Sequence, residues 1–275
     1  MDTERKVAEH YTHGALLKTI LDALKQMGKD PERLAAQDLA TGDELHLGWL
    51  PATIALAKDL GLKPGMHVLD VGSGLGGPAR HFAEAHKCRV TGIDLTEEFV
   101  QTAADLTRRC RLGDLVSFRQ GSALDLPFEA SVFDAATLIH VGMNIKDKAR
   151  LFAEVRRVLK PGGSFGVYEV MHAGEGDLPY PMPWALTTET SFVETPETYR
   201  RLLGAAGFTI EAEESRRAFV LDRAREMKAK IEKDGMPALN QHALLGPTAR
   251  ERLGNVMATL ERGIIAPVQM IARAV

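Results

Sequence analysis

Apolar residues change their period twice along the chain. Over residues 7–27 they recur at Leu16, Leu17, Ile20, Leu21 and Leu24, one face of a helix that Gly28 stops. A second segment follows over 31–39, a turn-rich string over 41–50, and a helix over 52–60 ended by Gly61. From residue 67 short runs at 67–72, 89–94, 116–121, 133–140 and 164–171 read as strands and alternate with helical patterns at 76–86, 97–111 and 147–159. Such alternation predicts a parallel sheet with helices on both faces. Thr96 is placed to cap the second of these helices, with Glu97 and Glu98 in its first turn. In the third, Leu151, Phe152, Val155, Val158 and Leu159 make the buried stripe, and Pro161-Gly162-Gly163 ends it. After residue 171 the pattern breaks up. Residues 174–184 contain Pro-Tyr-Pro-Met-Pro-Trp and can be neither helix nor sheet interior. A helix at 196–204, a strand at 209–214, helices at 218–233 and 248–261 and a last strand at 264–274 complete the reading.

The stretch from His67 to Asp94 organises the rest. It is a strand, a glycine-rich turn, a helix and a second strand ending in an acid, the layout of a nucleotide-binding unit. Gly72 and Gly74 let the backbone turn sharply and bring its amides close to a ligand, and Gly76 and Gly77 let the next helix lie close to the sheet. That helix points its free N–H groups at the crevice, and Asp94 stands where a carboxylate accepts from both ribose hydroxyls. Gly72, Gly74 and Gly77 also satisfy the spacing of a dinucleotide fold, so a nicotinamide-dependent oxidoreductase is the alternative, along with a non-catalytic relative that binds cofactor. Asp70, two residues before the first glycine, suits a cationic ligand better than a pyrophosphate.

The run His67 to Arg80 resembles the first motif of the class I methyltransferases that use S-adenosylmethionine. Later motifs follow in that family's order: Asp94-Leu95-Thr96, then Gln120 to Phe128, Phe133-Asp134, and Leu159 to Gly163. The resemblance implies a Rossmann-like, seven-stranded, mostly parallel sheet whose last strand runs antiparallel between the fifth and sixth. It implies S-adenosyl-L-methionine as cofactor, with Gly72, Ser73 and Gly74 at the methionine part, Asp94 and Leu95 at the ribose, Ser122, Ala123 and Leu124 around adenine, and Asp70 also in the cofactor-binding set. Ser122 departs from the aspartate common in the family. Tyr11-Thr12, the string Leu45 to Thr53, and Ile139-His140-Val141 are similar to stretches of phosphoethanolamine methyltransferases, and the N-terminal helix also resembles that of the sarcosine and dimethylglycine methyltransferases. On that likeness Tyr11 and His140 are the catalytic pair, hydrogen-bonded to each other, and Leu45 and His46 are cofactor neighbours. Residue 140 also ends the fourth strand, where open α/β sheets bind ligands, and a histidine there can take a proton from an amine or hydroxyl.

One domain is expected, with an N-terminal helical lid over 1–64, a cofactor-binding core over 65–171, and a substrate-side lid, helical insertion and last strands over 172–275. Tyr11, His46 and Trp49, polar or aromatic in an apolar helical context, favour the lid. The stretch from Met171 to Thr195 has no Arg or Lys to clamp a phosphate. It offers Tyr180, Trp184 and Phe192 as substrate contacts, among acids that suit an uncharged aromatic or a cationic amine.

Composition sets limits. At 275 residues, with 45% hydrophobic and 26% charged positions, the chain supports a sizeable core. A formal charge of −3 argues against a nucleic-acid partner. The two cysteines form no metal or disulfide pattern, no ligand cluster implies a metal, and no stretch has the length of a membrane span. The N-terminal residues lack the apolar core of a signal peptide, so a cytoplasmic enzyme acting on a small molecule is the expectation. The acceptor is expected to be a nitrogen or oxygen nucleophile of the amine or natural-product type.

Overall fold

The computed structural model describes residues 2–12 and 14–275. Seven strands form one sheet: β1 (His67–Val71), β2 (Arg89–Asp94), β3 (Val116–Gln120), β4 (Phe133–Ile139), β5 (Leu159–His172), β6 (Phe208–Ser215) and β7 (Ile265–Ala274). Their order is β3-β2-β1-β4-β5-β7-β6. The first five are mutually parallel, and β7 runs antiparallel between β5 and β6. The expected sheet is therefore present. Helices α5 (Gly77–His86), α6 (Glu97–Arg109), α7 (Lys148–Val158) and α8 (Pro196–Ala205) make the crossovers.

Neighbouring side chains on a strand go to opposite faces, and each face is buried. Val68 packs with Phe82, Val90 and Ala135 on one side. Leu69 packs with Phe152, Val155 and Phe165 on the other. Each such fully buried apolar side chain contributes about 1.5–3 kcal/mol.

The long N-terminal helix read over 7–27 is instead two: α1 (Asp2–Tyr11) and α2 (Leu16–Gln26). Gly14 lies in the left-handed region at φ 77°, and the amides of Gly14 and Leu16 donate to the Glu98 carboxylate of α6, each at 3.0 Å. Those bonds satisfy donors that the interruption frees at the start of α2. Leu16, Ile20 and Leu24 then pack on Phe99 and Leu106. The segment read over 31–39 is helical only in α3 (Ala36–Leu39), and α4 (Trp49–Asp59) starts earlier than residue 52.

Three other details differ. Thr96 sits at the N-cap of α6 but its hydroxyl makes no capping bond; its amide donates to Asp94 at 2.9 Å. β5 begins at Leu159, paired with Phe133, so the last residue of the expected helical stripe belongs to the sheet. Between α9 (Arg217–Asp234) and α11 (Ala249–Glu261) lies α10 (Gln241–Leu245), too short to show in the hydrophobic pattern. Residues 173–195 carry no long element, as their prolines dictate. Among the described residues no helix is long and apolar enough to cross a membrane.

Candidate active site

A cavity of about 700 Å³ opens at the C-terminal ends of β1, β2 and β4, where an open α/β sheet binds its ligands. Its floor is Asp70 and the turn after β1, Ile93 and Asp94 of β2, and Ile139 and His140 of β4. Val7 and Tyr11 of α1, Leu16 of α2, and Leu253 and Val256 of α11 cover it. Two clusters of apolar side chains hold that cover down. One joins α2 to α6 and to Leu239 and Leu244; the other joins α11 to Val170, Met182 and Trp184.

The turn after β1 is built on glycine. Gly72 has φ 71°, and a Cβ there would lie 2.3 Å from Val141. Gly77 is needed for a different neighbour than expected: a Cβ would meet the backbone oxygen of Asp43 at 2.8 Å, so it is the N-terminal segment, not the sheet, that presses against it. Arg80, fully buried one turn further on, fixes the same segment. It donates to Asp43 and the Leu75 carbonyl, both at 2.6 Å, and to Thr107 at 2.9 Å.

Two acids face the turn, Asp70 buried and Asp94 half-buried. Asp70 accepts from the Thr137 hydroxyl at 2.8 Å through Oδ1, while Oδ2 has no partner. Burial, with Asp94 adding to it, pushes this carboxyl up to about 6. The neighbouring Ser73 hydroxyl is also buried without a partner. Asp94 takes the amides of Gly74 at 2.8 Å and Thr96 at 2.9 Å on separate oxygens. A carboxylate has about four acceptor positions, so both oxygens keep capacity for hydroxyl donors. A bare carboxylate oxygen and a bare hydroxyl beside an open glycine turn fit the charged amino-acid end of S-adenosylmethionine, and Asp94 fits its ribose.

His140 leaves β4 at φ 53°. Its Nδ1 lies 3.0 Å from the Tyr168 carbonyl, which can only accept, so Nδ1 carries the hydrogen and Nε2 has the free lone pair. Nε2 is buried and without a partner, and burial pushes the ring down to about 4. The imidazole is thus neutral at physiological pH with its acceptor nitrogen bare. His46 stands at a ring-to-ring distance of 5.9 Å and is pushed down to about 3, again by burial. Beside it Glu44, which accepts from Thr53 at 2.7 Å, is pushed up to about 8 by burial and by Asp43.

Tyr11 does not bond His140. Its hydroxyl donates to Asn144 Oδ1 at 3.0 Å, and the Asn144 amide donates to the carbonyls of Trp184 and Thr190 at 2.8 and 2.9 Å. Asn144 therefore ties the first helix to the proline-rich loop. Behind it, Glu169 Oε1 accepts from the Val141 amide at 2.8 Å and fixes the turn that carries His140.

Tyr11, Leu45, His46, Asp70, Gly72 and Ser73 all line the cavity, as do Gly74, Asp94, Leu95, Ala123, Leu124, His140 and Trp184. Ser122 is not brought to it: its hydroxyl donates to Glu4 of α1 and accepts from the Leu124 amide. Tyr180 and Phe192 are also outside the lining. Tyr180 packs with the cluster around Met182, and Phe192 serves through its backbone, bonding Met143 and Lys148. Asn144 and Glu169 escaped sequence reasoning. Glu169 had a signal, a single acid inside the apolar run Val167 to Met171; Asn144 had none.

Residues 69–167 match the family model described as a methyltransferase domain. A sterol 24-C-methyltransferase of Gibberella zeae is 43% identical over 114 residues, which is 42% of this chain and 30% of that protein. The matched stretch thus covers less than a third of that relative's length. Among solved structures, phosphoethanolamine N-methyltransferase 2 of Haemonchus contortus superposes with TM-score 0.72 at 22% identity, over 98% of this chain and 60% of that one. The cyclase SpnF superposes with TM-score 0.62 at 26% identity, over 82% of this chain and 80% of that one. Residues 69–167, which carry the glycine turn, Asp70 and Asp94, thus match a methyltransferase domain, and the sheet around them has the fold of the class I S-adenosylmethionine-dependent methyltransferases.

Proposed function

We propose that this chain transfers a methyl group from S-adenosylmethionine to a small, largely apolar acceptor lying over β4 and β5. The observation that carries the reading is Asp70, a buried carboxyl with one bare oxygen beside the glycine turn. When bound, the cofactor supplies an electrophilic methyl on a sulfonium. The residues of the chain do the rest. Asp70 and Ser73 hold the ammonium end, and Asp94 accepts from the ribose hydroxyls. Leu45, His46, Leu95, Ala123 and Leu124 enclose the remainder. Tyr11, held by Asn144, closes the cavity against water. His140 Nε2 accepts the proton that the acceptor loses.

An apolar acceptor is supported by the cover residues Val7, Leu16, Leu253 and Val256 and by Trp184. The expectation of a nitrogen or oxygen nucleophile widens here to include carbon, since the similar proteins above are named for methylation of sterol carbon as well as of amine nitrogen. The reading is tested by thermal shift and turnover. S-adenosylhomocysteine should raise the unfolding midpoint and NAD should not. Acceptor-dependent release of S-adenosylhomocysteine should follow from a panel of terpenoids, phenols and amines. Stabilisation by NAD with none by S-adenosylhomocysteine would overturn it. A second reading rests on the 26% identity to the cyclase SpnF: cyclisation in the same cavity, visible as conversion of an acceptor with no S-adenosylhomocysteine released.

A further inference from the structure

We propose that Glu169 is a positioning residue whose ionised carboxylate, acting through backbone amides of the turn after β4, holds His140 in register with the acceptor, so that protonating this one carboxylate shuts the reaction down. The proposal rests on the methyltransferase reading above and adds a pH control to it.

The turn over residues 140–145 gathers several parts of the site. His140, Val141, Met143, Asn144 and Ile145 all line the cavity. Val141 lies against Gly72 of the cofactor turn, and Asn144 takes the Tyr11 hydroxyl. His140 itself is at φ 53°, a left-handed conformation that is costly for a residue with a Cβ and persists only where its surroundings hold it. Side chains from two neighbouring elements do so. Lys148 of α7 donates to the Ile145 carbonyl at 2.8 Å and the Phe192 carbonyl at 2.6 Å. Glu169 of β5, with no exposed surface, accepts from the Val141 amide at 2.8 Å, and the amides of Gly142 and Met143 also favour its ionised form.

Glu169 shares its face of β5 with Val167 and Met171, where a carboxyl is costly to bury. Hydrogen bonds from amides to a carboxylate are about twice as strong as those to a neutral acceptor, so the charge sets the grip on the turn. The second oxygen has room for either charge state. Oε2 and the Tyr199 hydroxyl of α8 are both buried without a partner, and both face Gly142, where a Cβ would lie 3.2 and 2.3 Å from them. A hydroxyl hydrogen can turn toward a carboxylate or away from a carboxylic acid, so Tyr199 suits both forms. Lys148 favours the ionised form of Glu169. Tyr199 brings no charge, because burial with Glu169 and Glu194 pushes its phenol well up, and Tyr11 of α1 is neutral by burial too. Burial outweighs these supports and pushes the Glu169 carboxyl up to about 7. Other groups of the site titrate elsewhere. His140 is pushed down to about 4 by burial, and Lys148 down to about 8 by burial against Glu169 and Glu194. Asp70 is kept ionised by the ammonium of bound cofactor.

The first part of the test needs no acceptor. In the full isotope-labelled chain saturated with S-adenosylhomocysteine, the amide resonances of Val141, Gly142 and Met143 should shift together as pH falls, around a midpoint near 7. Glu169→Gln, which still accepts at Oε1 but cannot titrate, should remove that midpoint. The second part follows kcat at saturating S-adenosylmethionine, on a panel acceptor that does not itself ionise in this range. The rate should fall about tenfold per pH unit below that midpoint in the wild type and in His140→Gln alike. Glu169→Gln should give a flat profile, with kcat lowered about 10-fold on the alkaline side and KM for S-adenosylmethionine unchanged. Amides that do not titrate near 7, an acidic limb that survives in Glu169→Gln, or a limb lost in His140→Gln overturns the proposal. A merely structural carboxyl would change the melting temperature and leave the limb in place. Where Glu169→Gln fails to fold, the wild-type amide titration and the His140→Gln profile still decide. Failure of the wild type to bind S-adenosylhomocysteine would bring down the methyltransferase reading itself, whereas binding with no titration at the turn brings down only the role of Glu169.

Discussion

Replacing Asp70 with asparagine should make the empty protein more stable and its grip on cofactor weaker. Burial, with Asp94 adding to it, raises this carboxyl from 3.8 to about 6 against the opposing bond from Thr137. Between those two values the folded protein keeps a proton that the unfolded chain has released. Stability contributed here is therefore lost as pH rises through that window, and above about 6 the full cost is present. At about 1.36 kcal/mol per pH unit that cost is on the order of 3 kcal/mol. Asparagine has the same shape, can still accept from Thr137 and carries no charge. Asp70→Asn should thus be more stable than wild type by roughly 1–3 kcal/mol at pH 8, with the difference vanishing near pH 4. The bond from a cofactor ammonium to Oδ2 is worth about 1.5–3 kcal/mol, so affinity for S-adenosylhomocysteine should fall about 10- to 100-fold. Urea unfolding at both pH values and titration calorimetry measure the two effects. A variant less stable than wild type at pH 8, or one that binds S-adenosylhomocysteine unchanged, would refute the assignment of Oδ2 as a cation acceptor.

Four more outcomes are expected. His140→Gln should lower kcat by about 100- to 10,000-fold for an acceptor that must lose a proton, and an unchanged rate on such an acceptor would remove the histidine from proton transfer. Since burial pushes His140 down to about 4, its protonation should not limit activity in the neutral range; a pH–rate profile that loses an acidic limb near 6.5 in this variant would contradict that. Tyr11→Phe should cost about 0.5–1.5 kcal/mol in stability and add little to Asn144→Leu, because the two share one bond; fully additive losses in a double-mutant cycle would separate them. Glu44 is raised from 4.5 to about 8 by burial and by Asp43, so the folded protein holds its proton across that window and loses stability as pH rises through it. Glu44→Gln should flatten the decline of the melting temperature toward alkaline pH, and an equal slope in the variant would place the titration elsewhere.

The sheet was legible because its signal is local. Val68 to Val71, Val90 to Ile93 and Phe133 to Ile139 carry strand character in their own residues, and Gly72 at φ 71° is what the glycine pattern requires. The break at Gly14 was not legible, because the Glu98 carboxylate that supports it lies more than eighty residues away. The hydroxyl of Tyr11 went to Asn144 for a similar reason. Asn144 sits in the short helical turn Gly142–Asn144, whose position depends on Glu169 in the next strand, beyond the whole of α7. Ser122 looked like an adenine contact by its place in a motif, yet Glu4 of the first helix engages it. What failed in each case was a pairing between distant segments, which period and motif do not encode.

The bond between Arg80 and Asp43 also says where this protein can be cut. The recognisable stretch is 69–167, and it contains the arginine but not its carboxylate. Excised on its own, it would hold an unpaired cation in its interior, a loss of about 3–5 kcal/mol, when ordinary domains have only about 5–15 in total. It would also uncover Leu75 and Phe99, which now lie under Leu24 and Leu39. The module that is shared between proteins is therefore smaller than the unit that folds, and the residues before the first strand are structural members of that unit.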